Sequence, residues 1–149
     1  VGFSSLLIKE ACGNDSVIHT IERNPAMIAP AKENFSRYDS NGQITMFEGD
    51  ALEILKTITE PYDFIFLDAA KGQYPNFLAH IKRLLVPGGV FISDNVFFNG
   101  YVAKGEPDVR RNRTIVNRLN EYLSELEKIS DMNTVLLPIS DGVTLSCKL

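Results

Sequence analysis

Short apolar runs alternate with longer amphipathic stretches along most of the chain. Runs rich in β-branched or alternating apolar residues predict strands at 16–22, 44–48, 62–67 and 90–93. Apolar residues at helical spacing predict helices at 4–12, 24–38, 51–59, 75–85 and 108–129. The run at 62–67 is mostly apolar at both alternations, which is typical of a strand buried on both faces of a parallel sheet. This order predicts an α/β fold with a doubly wound parallel sheet.

The end of the chain departs from that alternation. Residues 134–139 and 143–149 are strand-like and flank Ser140-Asp141-Gly142, and Asp-Gly between two such runs is a strong hairpin signal. Pro138 has no amide proton to donate, so its strand is expected at a sheet edge or a bulge. The sequence therefore predicts an antiparallel hairpin after the parallel strands. A turn is predicted at 86–89, before the fourth strand.

Composition limits the kind of protein this is. The chain has 149 residues, 44% of them hydrophobic, and a formal net charge of −4, which suits one globular domain. It has no apolar run of membrane-spanning length. Cys12 and Cys147 lie far apart without a metal-binding pattern, which favours a reducing, cytoplasmic setting. The sequence begins at Val1, without an initiator Met, and its first residues have no signal-peptide pattern. We therefore expect the chain to begin inside a domain.

Polar clusters follow four of the predicted strands. Because ligands of such folds bind at the carboxyl ends of parallel strands, these clusters are expected to meet at one sheet edge. They are Glu22-Arg23, Gly49-Asp50, Asp68 with Lys71, and Asp94-Asn95.

The first two clusters suit a nucleotide. Glu22 could accept both ribose hydroxyls, and Asp50 could accept a hydrogen bond from an adenine amino group. Each also has a structural alternative, because Glu22 could sit at the positive end of the helix that begins at Asn24-Pro25, and Asp50 could cap the helix 51–59. The residues alone leave both alternatives open.

The other two clusters suit a hard metal ion. Asp68, Asp94 and Asn95 offer oxygen ligands without sulfur or imidazole, a set that favours Mg²⁺ or Ca²⁺ over Zn²⁺. Lys71 could take a proton from a hydroxyl bound beside the metal. The structural alternative is that both aspartates only cap loops and that the lysine is solvated.

Taken in order, these segments resemble a known family. The chain is similar over essentially its whole length to the metal-dependent, S-adenosylmethionine-dependent O-methyltransferases of the catechol and caffeoyl-CoA type. The wording DAAKGQYP, with RRNRTIV, is most similar to the bacterial branch that methylates 5-hydroxyuridine in tRNA. The segments that carry the family resemblance are VGFSSLLI, HTIERNP, FEGDAL, FIFLDAAKGQYP, LLVPGGVFISDNVFFNG and SDGVTLSCKL.

The resemblance implies a role for each candidate residue. It implies a Rossmann-like methyltransferase sheet with a C-terminal antiparallel hairpin, here lacking the family's first strand, which would precede Val1. Lys71 is implied as the base that acts on the acceptor hydroxyl. The implied Mg²⁺ ligands are Asp68, Asp94 and Asn95, and the implied contacts of the methyl donor S-adenosylmethionine are Gly2, Ser4, Glu22, Asp50, Ala51 and Asp68.

A basic segment bears on the partner. Arg110, Arg111 and Arg113 could grip the phosphates of tRNA, or they could pair with acidic residues across a homodimer, an assembly that the resemblance also implies. Two other functions remain open: O-methylation of a small catechol-like molecule, and a non-catalytic nucleotide-binding or dimerisation fragment. No membrane partner is predicted.

Overall fold

A computed structural model of the chain describes residues 1–104 and 110–149, with side chains at all of these positions except 111. The described chain forms two compact units, Val1–Ile58 and Thr59–Leu149. None of the helices in these ranges combines the length and apolar character that a membrane crossing needs.

The first unit pairs two parallel strands and carries three helices. Its strands are in register from Ile18 with Ile44 to Glu22 with Glu48. Helix α2 begins as the sequence predicts, because Pro25 is its first residue and the side chain of Asn24 accepts a hydrogen bond from the Ala26 amide. The elements are α1 (Phe3–Cys12), β1 (Ile18–Glu22), α2 (Pro25–Tyr38), β2 (Ile44–Glu48) and α3 (Ala51–Thr57).

The second unit contains a four-stranded sheet in the order β3-β4-β6-β5. Strands β3 and β4 are parallel, whereas β6 is antiparallel to both β4 and β5. The predicted hairpin is confirmed, and Pro138 directly follows a strand at the sheet edge. The elements are β3 (Tyr62–Leu67), a 3-10 turn (Lys71–Gln73), α4 (Tyr74–Leu84), β4 (Leu85–Ser93), α5 (Tyr101–Lys104), α6 (Arg110–Glu127), β5 (Met132–Leu137) and β6 (Val143–Lys148).

The turn predicted at 86–89 is wrong, since β4 already begins at Leu85. Leu85 pairs with Tyr62 and Val90 pairs with Phe64, so two steps along β3 correspond to five along β4. The Pro-Gly-Gly sequence is therefore a bulge within the strand. The cause is the pairing of Leu85 with β3, a long-range contact that a local Pro-Gly pattern does not report.

The core of the second unit lies where α4 and α6 bury their apolar faces. The apolar residues at helical spacing in α6 form a buried stripe of Val116, Leu119, Tyr122 and Leu126. The predicted helix start near Asp108 lies outside the described residues. The rings of Tyr74 and Tyr122 meet edge to face, with centroids 5.3 Å apart.

Hydroxyl groups are buried beside this core. Ser93 and Thr144 are cross-strand partners in β4 and β6, and their hydroxyls are hydrogen-bonded to each other. Ser93 Oγ also lies 2.6 Å from the hydroxyl of Tyr122. The last residue of β4 is thus fixed by side-chain bonds from both α6 and β6, immediately before Asp94.

Candidate functional site

The ends of β3 and β4 bring two aspartates side by side. Leu67 and Ser93 are the last paired residues of these parallel strands, so Asp68 and Asp94 occupy the next position on each. The Asp94 amide donates to the Leu67 carbonyl at 3.1 Å, which continues the pairing past the strand ends. Adjacent strands run about 4.8 Å apart. Both carboxylates therefore start from neighbouring points of the backbone, as the sequence predicts.

Tyr74 links the ends of β3 and β4 through hydrogen bonds. Its fully buried hydroxyl lies 2.9 Å from the Asp94 carbonyl oxygen and 3.2 Å from the Leu67 carbonyl oxygen. Burial and the nearby charges of Asp68 and Asp94 raise the pKa of this hydroxyl above its usual value. Tyr74 therefore keeps its proton and acts as a hydrogen-bond donor to the backbone that carries the aspartates.

Lys71 is not a solvated loop lysine. Its ammonium nitrogen lies 2.6 Å from Asp68 Oδ1 and 5.3 Å from the centroid of the Tyr74 ring. Only 16% of its side chain is exposed, compared with 49% for Asp68. The 3-10 turn that begins at Lys71 thus directs the amine back to the end of β3.

The loop after β4 rests on the C-terminal hairpin turn. Asn95 has a left-handed backbone (φ 54°), and its amide donates to Asp94 Oδ1 at 2.7 Å. The amides of Val96 and Phe97 donate to the carbonyls of Gly142 and Asp141 at 3.0 and 2.8 Å. Gly142 was not among the predicted site residues. The Asp-Gly pair in the sequence predicts a hairpin turn, but it does not indicate that this turn supports the loop after Asp94.

The side chains at these strand ends suit Mg²⁺ by their chemistry. Asp68, Asp94 and Asn95 offer two carboxylates and one amide oxygen, and Mg²⁺ in proteins is commonly held by one or two carboxylates together with water and substrate oxygens. Within residues 1–104 and 110–149, no group of three or more His, Cys, Asp or Glu side chains could hold a metal ion. A closed cage made of protein side chains is therefore not what these described residues form, and an ion here would need further oxygen ligands.

Burial also shifts the titration of Tyr122, which helps to fix the end of β4. Burial raises the pKa of its hydroxyl to about 12, and the hydrogen bonds with Ser93 and Thr144 partly oppose that rise. The hydroxyl is consequently neutral at physiological pH, and the buried cluster carries no charge.

In the first unit, Glu22 binds the backbone just before α2, and Asp50 caps α3. Glu22 Oε1 accepts hydrogen bonds from the amides of Arg23 and Asn24, both at 2.8 Å. Asp50 Oδ1 caps α3 through the Leu52 amide at 2.9 Å, and Asp50 Oδ2 lies 3.3 Å from Arg23 Nη1. A carboxylate has about four lone-pair sites, so capping does not exclude a ligand. Nucleotide binding by these residues stays a prediction.

The remaining predicted donor contacts lie at helix starts. Gly2 has a left-handed backbone (φ 74°), and a Cβ there would lie 2.7 Å from the Phe35 ring. Ser4 is exposed in the first turn of α1, whose N-cap is Gly2. Ala51 is the first residue of α3. Glu22 thus ends one strand of the first unit and Asp50 follows the neighbouring one, while Asp68 and Asp94 follow neighbouring strands of the second unit.

The basic segment is described in part. Arg110 and Arg113 are exposed on the first turns of α6. The side chain of Arg111 lies outside the described residues. Arg118, whose guanidinium reaches the turn that carries Lys71, was not among the predicted site residues. No local pattern could have indicated this contact, because its partner lies 46 positions away.

A known protein family matches the whole chain. The family model described as O-methyltransferase matches residues 1–149. The chain belongs to this O-methyltransferase family. It is 32% identical to the O-methyltransferase ankF of Aspergillus thermomutatus over 97% of its own length, and it spans 65% of that protein.

Solved structures share the fold of this family member. A Staphylococcus aureus protein, described as a candidate caffeoyl-CoA O-methyltransferase, is 36% identical and superposes with a TM-score of 0.90, over 99% of this chain and 71% of that one. The O-methyltransferase TomG of Streptomyces achromogenes, solved in complex with SAM, is 26% identical with a TM-score of 0.86, over 99% and 68% of the two chains. The predicted Rossmann-like methyltransferase fold, with parallel and antiparallel strands, is confirmed.

Proposed function

We propose that the protein transfers a methyl group from S-adenosylmethionine to a hydroxyl oxygen, with Mg²⁺ as its metal. The observation that carries this proposal is the pair of strand-end aspartates with Lys71 held against one of them. Membership of the O-methyltransferase family supports the reaction. The SAM complex of TomG, which shares the fold, supports the donor.

The proposed roles follow the two units. Glu22, with Asp50 and Ala51 at the start of α3, would hold the ribose and adenine of the donor, and Gly2 and Ser4 would border its methionine end. Gly49 has a φ of 147°, which residues with a side chain rarely adopt, and it would let the donor approach the backbone.

In the second unit, Asp68, Asp94 and Asn95 would hold Mg²⁺. A bound Mg²⁺ supplies Lewis acidity that makes the acceptor hydroxyl easier to deprotonate. In its neutral amine form, Lys71 would accept on Nζ the proton that leaves the hydroxyl, while the methyl group moves from the donor sulfur to the acceptor oxygen. The S–C bond breaks as the O–C bond forms, and the products are S-adenosylhomocysteine and a methyl ether.

For the acceptor we propose 5-hydroxyuridine in tRNA. The positions of Arg110 and Arg113 support this choice, since both are exposed on the first turns of α6, where their guanidinium groups could contact phosphates. Arg111, from the same segment, would add a third positive charge. Salt-sensitive binding of tRNA is the expected sign of such contacts.

A small hydroxylated aromatic is the second candidate acceptor. The description of the Staphylococcus aureus structure as a candidate caffeoyl-CoA O-methyltransferase favours it. The same pair of strand-end carboxylates would serve both acceptors, because both present a hydroxyl group for methylation. In that case the arginines would instead serve a homodimer or remain solvated.

The test is transfer of labelled methyl groups by the full-length protein. Labelled S-adenosylmethionine is offered with hydroxyuridine-containing tRNA or with a catechol, in Mg²⁺ or in EDTA. Label in tRNA that disappears with EDTA is the expected result. Label in the catechol alone would move the protein to the second candidate. Donor binding without transfer to either acceptor would leave only a non-catalytic nucleotide-binding role.

Two aspartates near opposite ends of β3 make the test specific to Asp68. Asp68→Asn is expected to slow transfer by about 100-fold or more, because a metal ion contributes several kcal/mol of charge stabilisation. Asp63→Asn is the matched control, since Asp63 is an exposed aspartate near the other end of the same strand. Equal activity of the two variants would contradict the metal role of Asp68.

A further inference from the structure

Arg118 connects helix α6 to the turn that carries Lys71. Its Nε donates to the Gly72 carbonyl at 3.2 Å, and its Nη2 donates to Asn76 Oδ1 at 2.8 Å. The third nitrogen, Nη1, lies 2.6 Å from Glu121 Oε2 on the same helix. All three guanidinium nitrogens are therefore engaged, each with a different partner.

This arrangement differs from an ordinary surface arginine. Only 31% of the Arg118 side chain is exposed, and one of its bonds ends on the backbone of the residue directly after Lys71. The planar guanidinium holds its donors in a fixed fork, so several simultaneous bonds define one orientation. Glu121, one turn further along α6, fixes the outer side of that fork.

The turn Lys71–Gln73 is held by its own backbone and by neighbouring side chains. It is a 3-10 turn of three residues, and a Cβ at Gly72 would meet no atom within 4 Å. Its own backbone supplies the bond from the Gln73 amide to the Ala70 carbonyl at 2.8 Å. Arg118 adds a direct bond at Gly72, and Asn76 extends the support to Gln73 through a side-chain bond of 2.6 Å.

Helix α6 holds the neighbouring strand end as well. Tyr122 lies one turn after Arg118 on the same face, and its hydroxyl contacts Ser93, the residue before Asp94. One rigid helix thus contacts both the turn with Lys71 and the strand that leads into Asp94. Such a helix can fix the amine relative to the carboxylates.

We propose that Arg118 is a positioning residue, which holds the turn Lys71–Gln73 so that Lys71 Nζ stays against Asp68. Its effect on methyl transfer rests on the proposed function, whereas its effect on the lysine does not. A misplacement of about 1 Å at a reacting group can cost about 100-fold in rate. Arg118 would therefore influence the reaction without touching either substrate.

The first test measures Lys71 directly and needs no activity. The full-length protein is treated briefly with acetic anhydride, and acetylation of each lysine is followed by mass spectrometry. Arg118→Met is expected to speed acetylation of Lys71 several-fold, because a loosened turn exposes the amine, while Lys56 in the first unit reacts as before. Arg118→Lys retains the charge and one possible bond to Gly72, and should give a smaller rise. Unchanged acetylation of Lys71 in both variants would overturn the proposal.

Matched controls separate positioning from general destabilisation. Arg37→Lys changes an exposed arginine that pairs with Glu33, and should leave Lys71 acetylation unchanged. Glu121→Gln removes one partner of Arg118 but keeps its bonds to the turn, and should give an intermediate rise. A rise at every lysine in Arg118→Met, with none specific to Lys71, would also overturn the proposal.

The second test uses methyl transfer. Arg118→Met should lower kcat about 10-fold or more and leave KM for S-adenosylmethionine nearly unchanged, with partial recovery in Arg118→Lys. A rise in KM alone, with kcat unchanged, would contradict the positioning role. If the wild-type protein transfers no methyl group but Lys71 acetylation still rises, the proposed function fails and the positioning of Lys71 by Arg118 stands.

Discussion

Gly142 lets the hairpin turn pack directly against the ring of Phe97, where a side chain would cause strain. Its backbone is left-handed (φ 82°), and a Cβ there would lie 2.5 Å from two atoms of the Phe97 ring. Its carbonyl accepts a hydrogen bond from the Val96 amide. Gly142→Ala is therefore expected to destabilise the second unit and to disturb the loop that follows Asp94.

The structure separates two costs of this substitution. An L-residue in a left-handed conformation costs about 1–2 kcal/mol. Forcing a methyl group against a packed ring costs about 1–3 kcal/mol more. Gly88 is the matched control, because its backbone is also left-handed (φ 78°) but a Cβ there would meet nothing within 4 Å. Gly88→Ala should therefore lower the free energy of unfolding only by the cost of the left-handed backbone. The free energies of unfolding of the two variants should differ by about 1–3 kcal/mol.

Urea unfolding followed by fluorescence or circular dichroism measures both free energies of unfolding. The difference should appear as a shift of the midpoint with an unchanged m-value. Phe97→Ala in the Gly142→Ala background should recover part of the loss, since it removes the atoms in collision. If both glycine variants lose the same free energy within about 0.5 kcal/mol, the ring moves aside freely and the reasoning from close contact is refuted.

Three further predictions concern other parts of the structure. Tyr74→Phe leaves the carbonyls of Leu67 and Asp94 without their hydroxyl donor, and should cost about 1–3 kcal/mol in urea unfolding; a cost near zero would show that the hydroxyl does not fasten the strand ends. Because burial raises the pKa of Tyr122 to about 12, the unfolded chain loses this proton first, and the free energy of unfolding should fall as the pH rises from 10 to 12. This fall amounts to about 2 kcal/mol from this residue between pH 10 and 12, and Tyr122→Phe should show a correspondingly smaller fall over the same pH range. Asp50→Ser retains an N-cap oxygen, so stability should change by less than about 0.5 kcal/mol, while calorimetry should show weaker binding of S-adenosylmethionine; unchanged binding would leave Asp50 with capping alone.

Local patterns predicted the parts of the fold that depend on local chemistry. Asn24-Pro25 marked the start of α2 and Asp-Gly marked the hairpin, because capping and turn geometry act over a few residues. The stripe on α6 was visible for the same reason, since residues three or four apart share a helix face. The strand-end aspartates followed from these elements, because parallel strands bring their ends together.

Long-range contacts were not visible in the sequence. The bulge in β4 arises from the pairing of Leu85 with Tyr62, and the buried hydroxyl pair arises from the register of Ser93 with Thr144. Both residues of that pair would be read as ordinary polar positions in a strand. Arg118 is likewise unremarkable within its helix, and only the packed structure shows its contact with Gly72.

The position of β6 has a consequence for how the second unit is made. Residues 143–148 are synthesised after the other elements described in this unit, yet β6 lies between β4 and β5 in the finished sheet. While the chain is emerging from the ribosome, β4 therefore exposes an unpaired apolar edge and β5 has no neighbour. Such intermediates are prone to aggregate. The six residues of β6 form a central strand, so the sheet stays incomplete until they have emerged. Slow translation just before β6 would therefore prolong the interval in which chaperones are needed.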